Sequence, residues 1–137
     1  MHTVALISEF NPFHRGHAFC VDSIRHRLGP DTCIVAIMSG NYTQRGDVAI
    51  LDKFGRAAAA VEGGVDLVLE IPFPFSVSSA EFYATAGVRI ASALGVVDTL
   101  AFGSECGDLP TLSRLSENLS SSEFSSAFFE FPLIRWM

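Results

Sequence analysis

Thr3-Val4-Ala5-Leu6-Ile7-Ser8 runs directly into Glu9-Phe10-Asn11-Pro12-Phe13-His14-Arg15-Gly16-His17. The first six residues are apolar and rich in β-branched side chains, which reads as a buried first strand. Glu9 to Gly16 carries proline and glycine and reads as a loop. From His17 onward, Ala18, Cys20, Val21, Ile24 and Leu28 recur at helical spacing, and Gly29-Pro30 is a stop signal. A strand, a short loop and a helix with His-x-Gly-His at its mouth make an anion site in physical terms. The first N–H groups of a helix lack internal partners and its dipole is positive there. Gly16 has no side chain to hold a phosphate off the main chain. His14 and His17, three residues apart, lie near one another on a first turn, and each can donate a hydrogen bond to a phosphate oxygen. Asn11 either holds the loop or contacts a nucleotide.

Outward from this stretch the pattern repeats. Cys33–Met38 reads as a second buried strand, Asp66–Glu70 as a third and Thr99–Phe102 as a fourth. Between them, Asp52–Glu62 is alanine-rich and stops at Gly63-Gly64, and Ser78–Leu94 reads as a long helix capped by Ser78 or Ser79. Leu109–Leu119 reads as a last helix. Alternating strands and helices imply an α/β fold, a Rossmann-like parallel sheet with helices on both faces. Right-handed crossovers put the strand C-terminal ends on one edge, where such folds bind ligands. The polar loops after the first, second and fourth strands all reach that edge.

Bulk properties narrow the functional classes. At 137 residues with 49% hydrophobic content, the chain can build one ordinary core. A formal charge of −6 argues against a general polyanion binder. Cys20, Cys33 and Cys106 have neither disulfide-framework nor zinc spacing and read as thiols in a reducing cytosol. No signal peptide and no transmembrane run is expected, which points to a cytoplasmic protein with no membrane partner.

The weaker candidates divide in two. Ser39-Gly40-Asn41 could line the ligand pocket, and Arg45 could counter phosphate charge or be a solvated loop cation. Lys53 and Arg56, one turn apart, could face phosphates, but a solvated helix face is the expectation. Phe10, Phe13, Phe73, Phe75, Phe82 and Tyr83 are expected chiefly as core or pocket wall; His2 and His26 receive no role. Residues 120–137, with SSSEFSS, AFFEF and PLIRWM, form an atypical tail. It is read as truncation of a longer protein rather than as a helix awaiting a partner surface.

The strand followed by HxGH resembles the HxGH nucleotidyltransferase superfamily. The longer run SEFNPFHRGHAF is more particular. With MSGNYTQRGD at Met38–Asp47, Asp52-Lys53, GVDLVLEIPFPFSVSSAEFYA at Gly64–Ala84 and LGVVDTLAFGSE at Leu94–Glu105, it resembles the tRNA(Met) cytidine acetate ligase family over about residues 3 to 119. The resemblance implies an ATP-binding nucleotidyltransferase-like domain over 1–119. It implies a protein that uses ATP and acetate to form acetyl-adenylate, with Mg²⁺, and then acetylates N4 of the wobble cytidine in elongator tRNA(Met). It carries the nucleotide contacts onto Ile7, Ser8, Glu9, Phe10, Asn11, Pro12, Phe13, His14, Arg15, Gly16, His17, Ala18, Phe19 and Cys20, and onto Gly103 after the fourth strand, with His14 and His17 as the catalytic pair. Members of that family are much longer, and their tRNA-binding portion has no counterpart here. A small-molecule adenylyl- or cytidylyltransferase and a non-catalytic nucleotide-binding remnant are the competing functions.

Overall fold

The structure, a computed structural model, describes residues 2–104 and 108–120. Cys106 and the tail from 121 onward lie outside the described residues. The chain divides into two compact units, 1–102 and 103–137.

The first unit is a four-stranded sheet of β1 (Thr3–Ile7), β2 (Cys33–Ser39), β3 (Leu67–Ile71) and β4 (Thr99–Ala101), in spatial order β3-β2-β1-β4. Every pairing is parallel: Val4 faces Ile34 and Thr99, and Val35 faces Leu67. Three helices connect the strands: α1 (Arg15–Leu28), α2 (Lys53–Glu62) and α3 (Ala80–Ala93). A 3-10 turn at Phe75–Val77, absent from the sequence-based expectation, precedes α3. The Rossmann-like α/β fold expected from the sequence is the fold observed.

The period-2 alternation of the strands divides the core. Val4, Leu6, Ile34, Ala36 and Met38 face one side with Val21 and Ile24 of α1 and Ala60 of α2. Ala5, Val35, Ile37 and Ile71 face the other with Tyr83 and Ala91 of α3. Each valine, leucine, isoleucine or methionine among them contributes about 1.5–3 kcal/mol by leaving water, and each alanine about 0.8 kcal/mol. The chain steps from β1 to β2 to β3 in one direction, then α3 carries it back across to β4. With right-handed crossovers, that reversal puts α3 on the face opposite α1 and α2. The switch in strand order lies between β1 and β4, and the loop leaving β1 opens at that point.

Helix starts follow local chemistry. The Asp52 carboxylate accepts from the Phe54 and Gly55 N–H groups at 2.8 and 2.9 Å, and the Ser79 hydroxyl caps α3. The second unit contains α4 (Leu109–Leu119), capped by Asp108, with a proline in its first turn. Among the described residues no helix is long and apolar enough to cross a membrane.

Candidate functional site

The helix after β1 begins two residues earlier than its apolar spacing indicates. Arg15 is its first residue and His14 its N-cap. His14 Nδ1 accepts from the Gly16 N–H at 3.0 Å, and His17 Nδ1 accepts from the His14 N–H at 3.2 Å. This is a reciprocal capping box built from two imidazoles instead of a hydroxyl and a carboxylate. The rings stack with centroids 3.8 Å apart and planes 25° apart.

That arrangement fixes a tautomer. A ring nitrogen that accepts a backbone N–H cannot itself carry a proton, so each neutral ring carries its proton on Nε2. Both histidines thus present an Nε2–H donor, and protonating either at Nδ1 breaks a cap. Burial pushes the His17 pKa below its ordinary value, and the neighbouring His14 adds to the lowering. His17 is therefore held as a neutral donor at neutral pH. Gly16 serves the cap as much as any ligand: a methyl group on it would meet the His14 ring at 3.0 Å.

The loop beneath the rings is rigidly built. Phe10 is fully buried with φ of 48°, a left-handed conformation that costs a bulky residue about 1–3 kcal/mol and marks functional loops. Its ring meets His17 edge-on at 5.0 Å and Phe13 at 5.2 Å. Phe13 in turn lies over Gly63 at the end of α2, where a methyl group would overlap the ring. The peptide between Asn11 and Pro12 is cis. Asn11 Oδ1 accepts from the Ile50 N–H at 2.8 Å, so in this structure Asn11 holds the loop.

Arg56 corrects the sequence-based expectation. It is fully buried, not on a solvated face. Its guanidinium donates to the carbonyls of Glu9, Ser39, Gly40 and Leu51, tying the loops after β1 and β2 to the start of α2. A planar fork of five donors suits this cradle of carbonyls. Burial lowers its pKa, against the pull of Glu9, Tyr83, Asp52 and Glu70. Lys53 instead ion-pairs with Glu70 at 2.6 Å. The Glu9 carboxylate accepts from the Gln44 N–H, and the 41–49 segment folds as a small hairpin with Tyr42 opposite Val48.

The remaining candidates separate by helix face. Ile7 ends β1 and Ser8 follows it, its N–H donating to the Ile37 carbonyl at 3.1 Å. Pro12 and Arg15 are exposed and Ala18 is half-buried. Cys20 packs on the core beside Val21 and Ile24, and burial raises its pKa. Phe19 is exposed and lines a shallow groove with Asp22, Ser23, His26 and Arg27 on the outer side of α1. Gly103 opens the second unit. Arg45 is exposed in the hairpin. Phe75 and Phe82 are exposed, against the expectation of core or pocket wall, whereas Phe10 and Tyr83 are core and Phe73 lines a cavity with Gly40 and Asn41. Tyr83 is pushed up to about 12 by burial; its hydroxyl sits beside Ser39 but outside hydrogen-bond geometry.

A parallel α/β sheet whose first crossover opens on a paired-imidazole helix start defines a nucleotidyltransferase-type fold. The chain belongs to the HIGH Nucleotidyl Transferase family, which matches residues 1–130. It is 51% identical over 120 residues to a tRNA(Met) cytidine acetate ligase of Exiguobacterium sibiricum, covering 86% of this chain and 31% of that protein. It is 41% identical to the one from Alkaliphilus metalliredigens over 137 residues, the whole chain and 31% of the relative. Alignment thus continues past Leu119, where the sequence motifs thin out. The crystal structure of Thermotoga maritima TmcAL bound with alpha-thio ATP is similar with a TM-score of 0.80 and 42% identity, over 87% of this chain and 28% of that one. The chain spans about 30% of the length of the curated relatives it matches.

Proposed function

We propose that this chain binds ATP at the entrance of α1 and serves an ATP-dependent acetate ligase of the tRNA(Met) cytidine type. The observation that carries the proposal is the pair of stacked imidazoles whose Nδ1 atoms are taken by the cap. They leave two fixed Nε2–H donors at the positive end of a helix. The similarity to a protein crystallised with an ATP analogue supports the same ligand here.

Acetate is already ionised at neutral pH, so no protein nucleophile is required. Its oxygen attacks the α-phosphorus, the bond to the bridging oxygen breaks, and pyrophosphate leaves. Charge grows on the equatorial oxygens, where donors held in place need not reorganise. His14 and His17 supply those donors, and Mg²⁺ would come in on the triphosphate's own oxygens. The cytidine amine would then attack the acetyl carbonyl, AMP would leave as the acyl–oxygen bond breaks, and the departing phosphate would take the proton given up by the nitrogen. On this reading the 7–20 stretch is the phosphate loop of the ATP-binding domain. Elongator tRNA(Met) is the expected partner. The −6 charge of this chain leaves most of the grip on that polyanion to the remainder of the relatives' length.

The test is pyrophosphate release from ATP with acetate, with phosphopantetheine, with nicotinamide mononucleotide and with no acceptor. Acetate-dependent release is the expected result. Release with another acceptor only makes the chain a small-molecule nucleotidyltransferase. ATP binding without release under any condition makes it a nucleotide-binding module.

A further inference from the structure

A second furnished hollow lies at the carboxyl ends of β2 and β3. Its volume is about 170 Å³, and Gly40, Asn41, Tyr42, Glu70, Phe73 and Ser76 line it. At about 30 Å³ of liquid volume per water, that is the space of about six waters, enough to admit a planar ring. It is not remote from the histidines. Arg56 binds the Glu9 carbonyl in the histidine-bearing loop and the Gly40 carbonyl in the cavity wall with one guanidinium.

The lining has two chemical features. Tyr42 and Phe73 are 46% and 67% exposed, with ring centroids 6.2 Å apart and planes inclined by 54°. A flat ring on the face of one has the other as a side wall, and exposed aromatic faces are what unpaired bases stack on. The second feature is the Glu70 carboxylate. One oxygen pairs with Lys53 Nζ at 2.6 Å, and the other lies over Gly40, where any side chain would collide with it. Its position is thereby held. An ionised carboxylate only accepts hydrogen bonds, so it disfavours acetate or phosphate as occupant and favours an N–H donor. Cytosine offers an amine at its 4-position where uracil offers a carbonyl oxygen.

We infer that this cavity seats a cytosine base, its ring against Tyr42 and Phe73 and its exocyclic amine donating to Glu70. The inference rests on the proposed function and gives its acceptor nucleoside a place beside the ATP loop.

The test titrates cytidine, uridine and adenosine into the full chain saturated with a non-hydrolysable ATP analogue, followed by NMR. Analogue binding is read in the same samples from the His14 and His17 resonances. The expected result is that cytidine shifts the Tyr42 and Phe73 ring signals with at least tenfold tighter apparent binding than uridine. Tyr42→Leu and Phe73→Leu each weaken cytidine about tenfold. Glu70→Gln, whose amide can donate to a carbonyl, erases the preference over uridine. The inference is overturned if uridine or adenosine binds the parent as well as cytidine, or if cytidine leaves both rings unshifted. It is overturned equally if the ATP analogue or acetate alone produces the same ring shifts. Analogue binding without cytidine binding sinks the inference and spares the ATP site; loss of both sinks both. The comparison of nucleosides on the parent protein does not depend on any variant folding.

Discussion

The His14 and His17 rings stack at 3.8 Å, and each gives its Nδ1 to a main-chain N–H of the first helical turn. One pair of side chains thus has two assigned jobs: the Nδ1 edges start the helix, and the Nε2 edges are the donors proposed for ATP. The two jobs can be separated by mutation.

Asparagine is among the best N-cap residues but has no donor where Nε2 stands. His14→Asn should keep thermal stability near the parent's while weakening ATP about tenfold or more, the loss of one hydrogen bond to a charged group at about 1.5–3 kcal/mol. His14→Ala should lose both, with about 1 kcal/mol of stability from the missing cap. Thermal melts beside calorimetric ATP titrations of the two variants read the difference.

The pH response follows from His17. Its folded pKa lies below the ordinary 6.5 because of burial first and His14 second. The neutral ring is thus favoured by folding, so the stability it contributes is present above pH 6.5 and is lost as the pH falls through the folded value. An NMR titration of the His17 ring should give a midpoint below 6.5, and bound ATP should raise it by placing negative charge nearby. A midpoint at or above 6.5 in the free protein would contradict the burial of that ring.

Arg56 should be among the costliest positions in the chain. Arg56→Met removes the donor to four carbonyls, at Glu9, Ser39, Gly40 and Leu51, and leaves them buried or poorly solvated. Each unsatisfied group costs about 1–3 kcal/mol, so a loss of about 3 kcal/mol or more is expected in urea denaturation. Arg56→Lys should rescue little, because one ammonium cannot span the fork's acceptors.

Gly63 carries the Phe13 ring, with no room for a methyl group between them. Gly63→Ala should destabilise by about 1–3 kcal/mol through overpacking. It should also displace Phe13 from His17, whose centroids are 5.5 Å apart, and so weaken ATP binding from α2, a helix that carries none of the phosphate donors.

Much of this architecture was legible in the residues. The apolar runs at Thr3, Cys33, Leu67 and Thr99 are strands in the structure; the central two, β1 and β2, are buried on both faces and so leave continuous apolar sequence, whereas β3 and β4 are partly exposed edges. The reversal that isolates β4 was not legible, since pairing partners leave no local mark. The start of α1 was read two residues late. Histidine is not an ordinary cap, and nothing in HRGH alone says that its rings accept from the main chain. Arg56 was misread for a related reason. Its acceptors come from residues 9, 39, 40 and 51, and only the fold gathers them. Phe75 is exposed in the 3-10 turn between β3 and α3, which composition did not announce, and Phe82 is exposed in the first turn of α3.

The most direct measurement is a calorimetric ATP titration of the parent chain beside His14→Asn and His17→Gln, with thermal melts on the same samples. The expected result is measurable ATP binding by the parent and at least a tenfold loss in each variant while its fold persists. ATP binding of equal strength in all three folded proteins would contradict the assignment of the α1 entrance as the triphosphate site.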